Sequence, residues 1–263
     1  MTHRFLPVLA AAAFCLVITG CTQSVDGSAG TVVAGNAGPS AGGSVTADAA
    51  PPIDPCEGTT GCQYVADVDV DGDGATDQVG IAYGPSGVQV VAGINGERYE
   101  WVQPASSGGQ VYTDPAEIYR GAFALSRAQG ADIALHLVQG GGNAEQFAVV
   151  SWDGSGLVAL PQPPTADRTG LKTEGIWYLG SSHGRQDSIA CRAPGELTVN
   201  RLTAATQEGS PVPGGGRREE NYYLFSGGQW QPNGSDNVPD TTFSYSWDAH
   251  ANAFACDDLG VAP

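Results

Sequence analysis

Positive charge is what this chain has least of. Eleven of its 263 residues are Lys or Arg against 28 Asp and Glu, giving a formal net charge of -17, and Lys172 is the single lysine. Holding a phosphate backbone needs clustered basic side chains. The one adjacent pair, Arg217-Arg218, runs straight into Glu219-Glu220, so nucleic acid is excluded as a partner and a bare anionic lipid surface repels the chain. Catalytic signatures are missing as well. There is no Gly-x-Ser-x-Gly elbow, no His-Glu-x-x-His, no Gly-Lys-Ser/Thr phosphate cradle and no dinucleotide fingerprint. Gly140-Gly-Gly142 before Asn143 reads as a hairpin turn, because no helix follows to aim amides at a phosphate. Amphipathic helical stripes of useful length are absent, and the only long apolar run is at the start.

That run has a recognisable order. Met1 to Arg4 is short and basic, Phe5 to Ile18 is apolar, and Ile18-Thr-Gly-Cys21 closes it with small residues before a cysteine. The segment is too short to span a bilayer as a helix and reads as a secretory signal. Its last four residues resemble the lipobox of bacterial lipoproteins, which implies cleavage after Gly20 and lipid modification of Cys21. Ten arginines to one lysine, with heavy Ala and Gly usage, fit a high-GC bacterium such as an actinobacterium. Loss of residues 1–20 removes Arg4 and no acidic group, so the charge moves from -17 to -18. Residues 22–55 are Ser, Thr, Gly, Ala and Pro with almost no large apolar side chain, too little to offset ordering entropy. Residues 21–55 are therefore expected to be a lipidated cysteine and a flexible tether, and 56–263 a single domain facing outside the cytoplasm.

The most specific stretch is Asp67-Val-Asp69-Val-Asp71-Gly-Asp73-Gly-Ala75-Thr-Asp77. Hard cations take six to eight oxygen ligands, and a tight loop supplies them when alternate side chains turn inward and glycine permits the wrap. With Asp69 at position 1, Asp71, Asp73, the Ala75 carbonyl and Asp77 fall at positions 3, 5, 7 and 9 of an EF-hand-like order. Position 12 is Gly80 rather than Glu, and Val79-Gly-Ile81-Ala-Tyr83 alternates like a strand. A loop of this order followed by a strand resembles the calcium-binding loops of FG-GAP and VCBS repeats in integrin-like β-propellers. The resemblance implies Ca²⁺ held by Asp69, Asp71, Asp73 and Asp77 with the Ala75 carbonyl, and water or another group completing the shell. Asp67 sits one pleat too early to take part. The bland reading is an acidic Asp-Gly turn with no ion, but close-set carboxylates repel unless a cation neutralises them.

Four cysteines remain once Cys15 leaves with the signal and Cys21 is lipidated: Cys56, Cys62, Cys191 and Cys256. An even number outside the cytoplasm predicts disulfides. Of three connectivities the expected one is Cys56 with Cys62 and Cys191 with Cys256, contributing about 2 and about 4 kcal/mol on chain-entropy grounds.

From residue 56 onward, short alternating runs between Gly, Pro, Asn and Asp turns predict an all-β, antiparallel, hairpin-rich domain, partly propeller-like or sandwich-like. Expected strands are 63–70, 78–83, 88–94 and 99–103, with Gly84-Pro-Ser-Gly87 and Asn95-Gly96 as turns. A second group is 132–139, 146–152 and 157–160. A third is 175–180, 187–191, 197–202, 221–225, 241–247 and 253–256. Val149-Val-Ser-Trp-Asp153 and Phe243-Ser-Tyr-Ser-Trp-Asp248 share a Ser-Trp-Asp frame, which predicts strand, turn, strand at both places. Trp101, Trp152, Trp177, Trp230 and Trp247 read as core packing, with a sugar platform as the other use of such rings. His136 lies opposite Ile133, Leu135 and Leu137 and reads as a partly buried, hydrogen-bonded histidine; His183 neighbours Ser182 in a polar loop. The expectation is a non-catalytic envelope module that binds or scaffolds an unidentified protein or glycan. An envelope hydrolase, or an accessory subunit of one, is the competing class.

Overall fold

Alternation builds the first sheet. In the computed structural model, which describes residues 53–106, 109–140, 145–164, 175–182 and 184–263, β1 (Cys62–Val68), β2 (Asp77–Gly84), β3 (Gly87–Ile94) and β4 (Glu97–Gln103) form an antiparallel meander. Pro85-Ser86 joins β2 to β3. Asn95 and Gly96, at φ 51° and 76°, make the two-residue turn between β3 and β4, the left-handed pair that suits right-twisted strands. Val79, Ile81, Val88, Val90, Ala92 and Ile94 are all buried on one face. The opposite face of β2 carries glycine where the chain before β1 crosses it. A Cβ on Gly80 would stand 2.8 Å from the Cys56 Sγ and 2.9 Å from the Cys62 Sγ. That disulfide forms, with Cα atoms 5.3 Å apart.

The rest of the chain makes one long sheet. Its strands are β5 (Gly109–Val111), β6 (Tyr119–Phe123) after the one-turn α1 (Pro115–Ile118), β7 (Asp132–Gly140), β8 (Glu145–Trp152), β9 (Leu157–Ala159) and β10 (Trp177–Ser182), followed by β11 (Arg185–Ala193), β12 (Glu196–Gln207), β13 (Ser210–Ser226), β14 (Gln229–Pro239) and, beyond α2 (Ala249–Asn252), β15 (Phe254–Ala255). The order is β14-β13-β12-β11-β10-β8-β7-β5, with β6 beside β7, β9 beside β8 and β15 parallel to β11.

β7 and β8 are buried on both faces, so they read as continuous apolar runs rather than alternating ones. On one side Ile133, Leu135, Ala148 and Val150 meet Val79, Ile81, Val90 and Ile94 of the meander, which makes the first core a sandwich. On the other, Ala134, Phe147 and Val149 pack with Trp177, Leu179, Ile189, Val199, Tyr223, Trp230 and Phe254 in a second core. A register shift between His136 and Val138 lets Leu137 and Val138 both enter the first core. The second disulfide, Cys191–Cys256, has its Cα atoms 5.0 Å apart and ties β11 to the residue after β15. The domain is thus all-β, antiparallel apart from β15, and sandwich-like.

Three expectations change. Residues 241–247 form no strand: Phe243 joins Leu202 and Ala204 in a small cluster, Tyr245 is exposed and Trp247 leans on the second core. These alternating aromatics therefore face different surroundings instead of one sheet. The Ser-Trp-Asp frame is not a structural repeat. Asp153 closes a turn by accepting from the Ser155 and Gly156 amides, whereas Asp248 caps α2 by accepting from the His250 amide. Finally β12 and β13 are much longer than the short runs expected, continuing through a Pro- and Gly-containing stretch to a turn at Glu208-Gly209, and β14 falls where no strand was expected. The residues expected to form a signal (1–20) and, up to residue 52, the lipidated Cys21 and a tether lie outside the described residues, as do Asn143 and His183. Among the described residues no helix is long and apolar enough to cross a membrane.

Candidate metal site

The β1–β2 connection, residues 69–76, is the acidic loop. In a meander the first and third connections emerge at the same end, so this loop and the Asn95-Gly96 turn are neighbours. Ligand oxygens of Asp69, Asp71 and Asp77 all lie within 4.8 Å of one another. Two unit charges at that separation repel by about 1 kcal/mol in water and by about 3 to 4 kcal/mol at an effective dielectric near 20. The third carboxylate is the unusual one. Asp77 opens β2 and is only 5 % exposed. Burial, and then the charges of Asp71 and Asp69, push its carboxyl up to about 6, against the pull of the Val70 amide.

Backbone amides hold these side chains in place. The Asp69 Oδ1 accepts from the Gly72 N–H at 2.7 Å and its Oδ2 from the Gly74 N–H at 3.0 Å. The Asp71 Oδ1 accepts from the Asp73 N–H at 3.1 Å, and the Asp77 Oδ2 from the Val70 N–H at 2.8 Å. Each such bond uses one lone pair and leaves the carboxylate able to ligate with the rest. Gly72, at φ 87°, is needed twice: for that left-handed backbone, and because a Cβ there would lie 3.0 Å from the Gln129 carbonyl carbon. The β6–β7 loop thereby closes one side of the site, and its Ala131 N–H donates to the Asp69 carbonyl at 2.8 Å.

Of the expected ligands, then, the structure gathers Asp69, Asp71 and Asp77. Asp73 stays outside that group, with its Oδ1 turned to the Ala75 N–H at 2.7 Å. Asp67 is a strand residue, exchanging backbone hydrogen bonds of 2.9 Å with Val261. One residue was missed. The Asn95 amide donates to the Asp71 Oδ2 at 2.7 Å, and the same-end rule for a meander was the signal that pointed to it. The donor set is all oxygen, which suits Ca²⁺ rather than a softer transition metal.

Elsewhere, aromatics take the packing role. Trp177 and Trp230 are buried edge to face at 6.2 Å, their indole N–H groups donating to the Leu160 and Pro161 carbonyls at 2.8 and 2.6 Å. Trp101 and Trp152 lean on the first core. His136 is wholly buried rather than partly so. Asp132, wholly buried, is another of the buried carboxylates, accepting from the Leu125 and Ser126 amides and the Ser126 hydroxyl. It clamps the β6–β7 loop that flanks the acidic site.

Comparison with known proteins finds no matching family model, no matching curated protein and no matching solved structure.

Proposed function

We propose that this chain is a lipid-anchored envelope module in which the β1–β2 loop binds one Ca²⁺ as a structural staple, leaving the β domain to bind or scaffold a protein or glycan without catalysis. The observation that carries the metal reading is the convergence of three aspartates, one of them buried, on a loop whose backbone amides orient the carboxylates without saturating them. Asp69, Asp71 and Asp77 supply carboxylate ligands. Asp73 and the Ala75 carbonyl belong to the proposed shell on the strength of the loop order alone. The ion neutralises charge that otherwise opposes closure of the loop, and so stiffens the junction between β1 and β2.

The anchor rests on the Ile18-Thr-Gly-Cys21 order, and display outside the cytoplasm rests on that together with the two disulfides. Isothermal titration of calcium into the metal-free domain tests the centre of the proposal. One site per chain is expected, with affinity as weak as about 10⁻⁴ to 10⁻³ M, and it should vanish in Asp71→Ala. Heat of binding unchanged by that substitution would move the ion elsewhere.

A further inference from the structure

On the far side of β7 from the meander, three ionisable side chains stand in line. His136, on β7, is fully buried. Its Nε2 lies 2.5 Å from the Glu145 Oε2 on β8, a contact that is an ion pair only when the ring is protonated, and its Nδ1 lies 3.0 Å from the Nδ1 of His250 on α2. The ring stacks on Phe147 at 4.3 Å and on His250 at 5.3 Å, and the Tyr112 ring is tilted against it at 4.5 Å. A bond between two imidazole Nδ1 atoms accommodates one proton. If both rings become cations, both Nδ1 atoms carry a hydrogen, the bond is lost and two like charges face each other with little water between them.

The surrounding charges do not rescue that state. Arg120 of β6 lies close enough to oppose a charge on His250 and donates to the Ala251 carbonyl at 2.9 Å. Asp248, which caps α2, and Glu145 favour the charge; Tyr112, between Glu145, Asp248 and Glu117 of α1, stays neutral because burial and those carboxylates push its hydroxyl up. Asp258 acts on Arg120. Burial outweighs the favourable partners, and with His136 and Arg120 it holds His250 below the ordinary histidine value.

The geometry points to a proton-operated latch: the Glu145–His136–His250 line holds α2 against the second core, and acidification that adds a proton beyond the one the Nδ1–Nδ1 bond accommodates releases the segment around α2. Release is local because α2 is one turn long. Its docking depends on Ala249, Ala253 and Phe254 in the core and on the Ile189 N–H donating to the Ala253 carbonyl at 2.7 Å, while the Cys191–Cys256 disulfide keeps the chain end attached. A histidine whose folded value is lowered gives stability that is present above its unfolded value, about 6.5, and is lost as pH falls through that region.

Amide hydrogen exchange on the full chain, expressed as protection factors between pH 7.5 and 5, tests this. Protection of the Ile189 and Ala253 amides should fall about tenfold per pH unit below about 6.5, since folding then excludes one proton, while β3 amides in the first core keep theirs. In His250→Gln, where an amide that does not titrate replaces the ring, the pH dependence at Ile189 and Ala253 should flatten. In Glu145→Gln, which removes a charge that favours the cation on His250, the loss should still begin near pH 6.5 but continue to lower pH than in the wild type, at about the same slope. Equal protection at both pH values in the wild type, a fall matched by β3, or an unchanged slope in His250→Gln would overturn the latch.

Discussion

Asp77 is where the calcium proposal becomes a statement about one proton. Its carboxyl is pushed up to about 6 by burial and by Asp71 and Asp69. A carboxyl raised above its unfolded value costs stability when ionised, so in the metal-free protein this group favours the fold less as pH rises from about 4 through 6. Calcium reverses the sign, because the ion needs the ionised form. Affinity should therefore weaken by up to about tenfold per pH unit below 6. The rise in melting temperature on adding calcium, taken at each pH against a chelator control, should be large at pH 7 and small at pH 5. A calcium increment independent of pH would show that Asp77 is not a ligand. Asn95 offers a second test at this scale. Its amide fixes Asp71 from the β3–β4 turn, and outer partners of this kind are typically worth at least about tenfold in metal affinity. Asn95→Ala should lower calcium affinity by about that factor and leave the metal-free melt little changed; equal titrations would mean the bond is incidental.

Among the elements, the meander shows how glycine lets a disulfide lie flat on a sheet. Gly80→Val should cost about 1 to 3 kcal/mol by overpacking, because the new side chain meets both sulfurs of Cys56–Cys62. Combined with Cys56→Ser and Cys62→Ser, the same substitution should cost much less, a non-additivity that denaturant titration can read. Strict additivity would place the strain elsewhere. This part of the fold was the most legible in the sequence. Alternation over β2 to β4, the Asn95-Gly96 turn and the aspartate spacing all pointed the same way. The long hairpins were not legible. β13 carries Pro211, Pro213 and three consecutive glycines, which signal a loop locally; pairing along the whole of β12 carries the strand past them, with Pro213, Gly214 and Gly215 left out of the pairing at the register shift between Ala204 and Ala205. Residues 241–247 failed in the opposite direction, since alternating aromatics look like a strand but Phe243 and Trp247 fill separate clusters. The His136–His250 contact joins residues 114 apart and left no mark in the order of the chain.

At the scale of the whole molecule, β7 and β8 belong to both cores, so the meander bearing the acidic loop and the long hairpins share one central pair of strands. Ordering the β1–β2 loop should therefore register in the melting of the domain rather than only at the loop. The anchor is tested separately: Cys21→Ser should move the protein from the membrane fraction to the medium, and continued membrane association would remove the lipid from the account. The most direct measurement is thermal unfolding of the wild type and of Asp71→Ala, each with millimolar calcium and with excess chelator. A calcium site at Asp69, Asp71 and Asp77 predicts a melting temperature about 1 to 5 °C higher with calcium in the wild type, reversed by chelator and absent in Asp71→Ala, since millimolar calcium at about 1 to 10 times Kd stabilises by about 0.4 to 1.4 kcal/mol. Identical melts under all four conditions would contradict it.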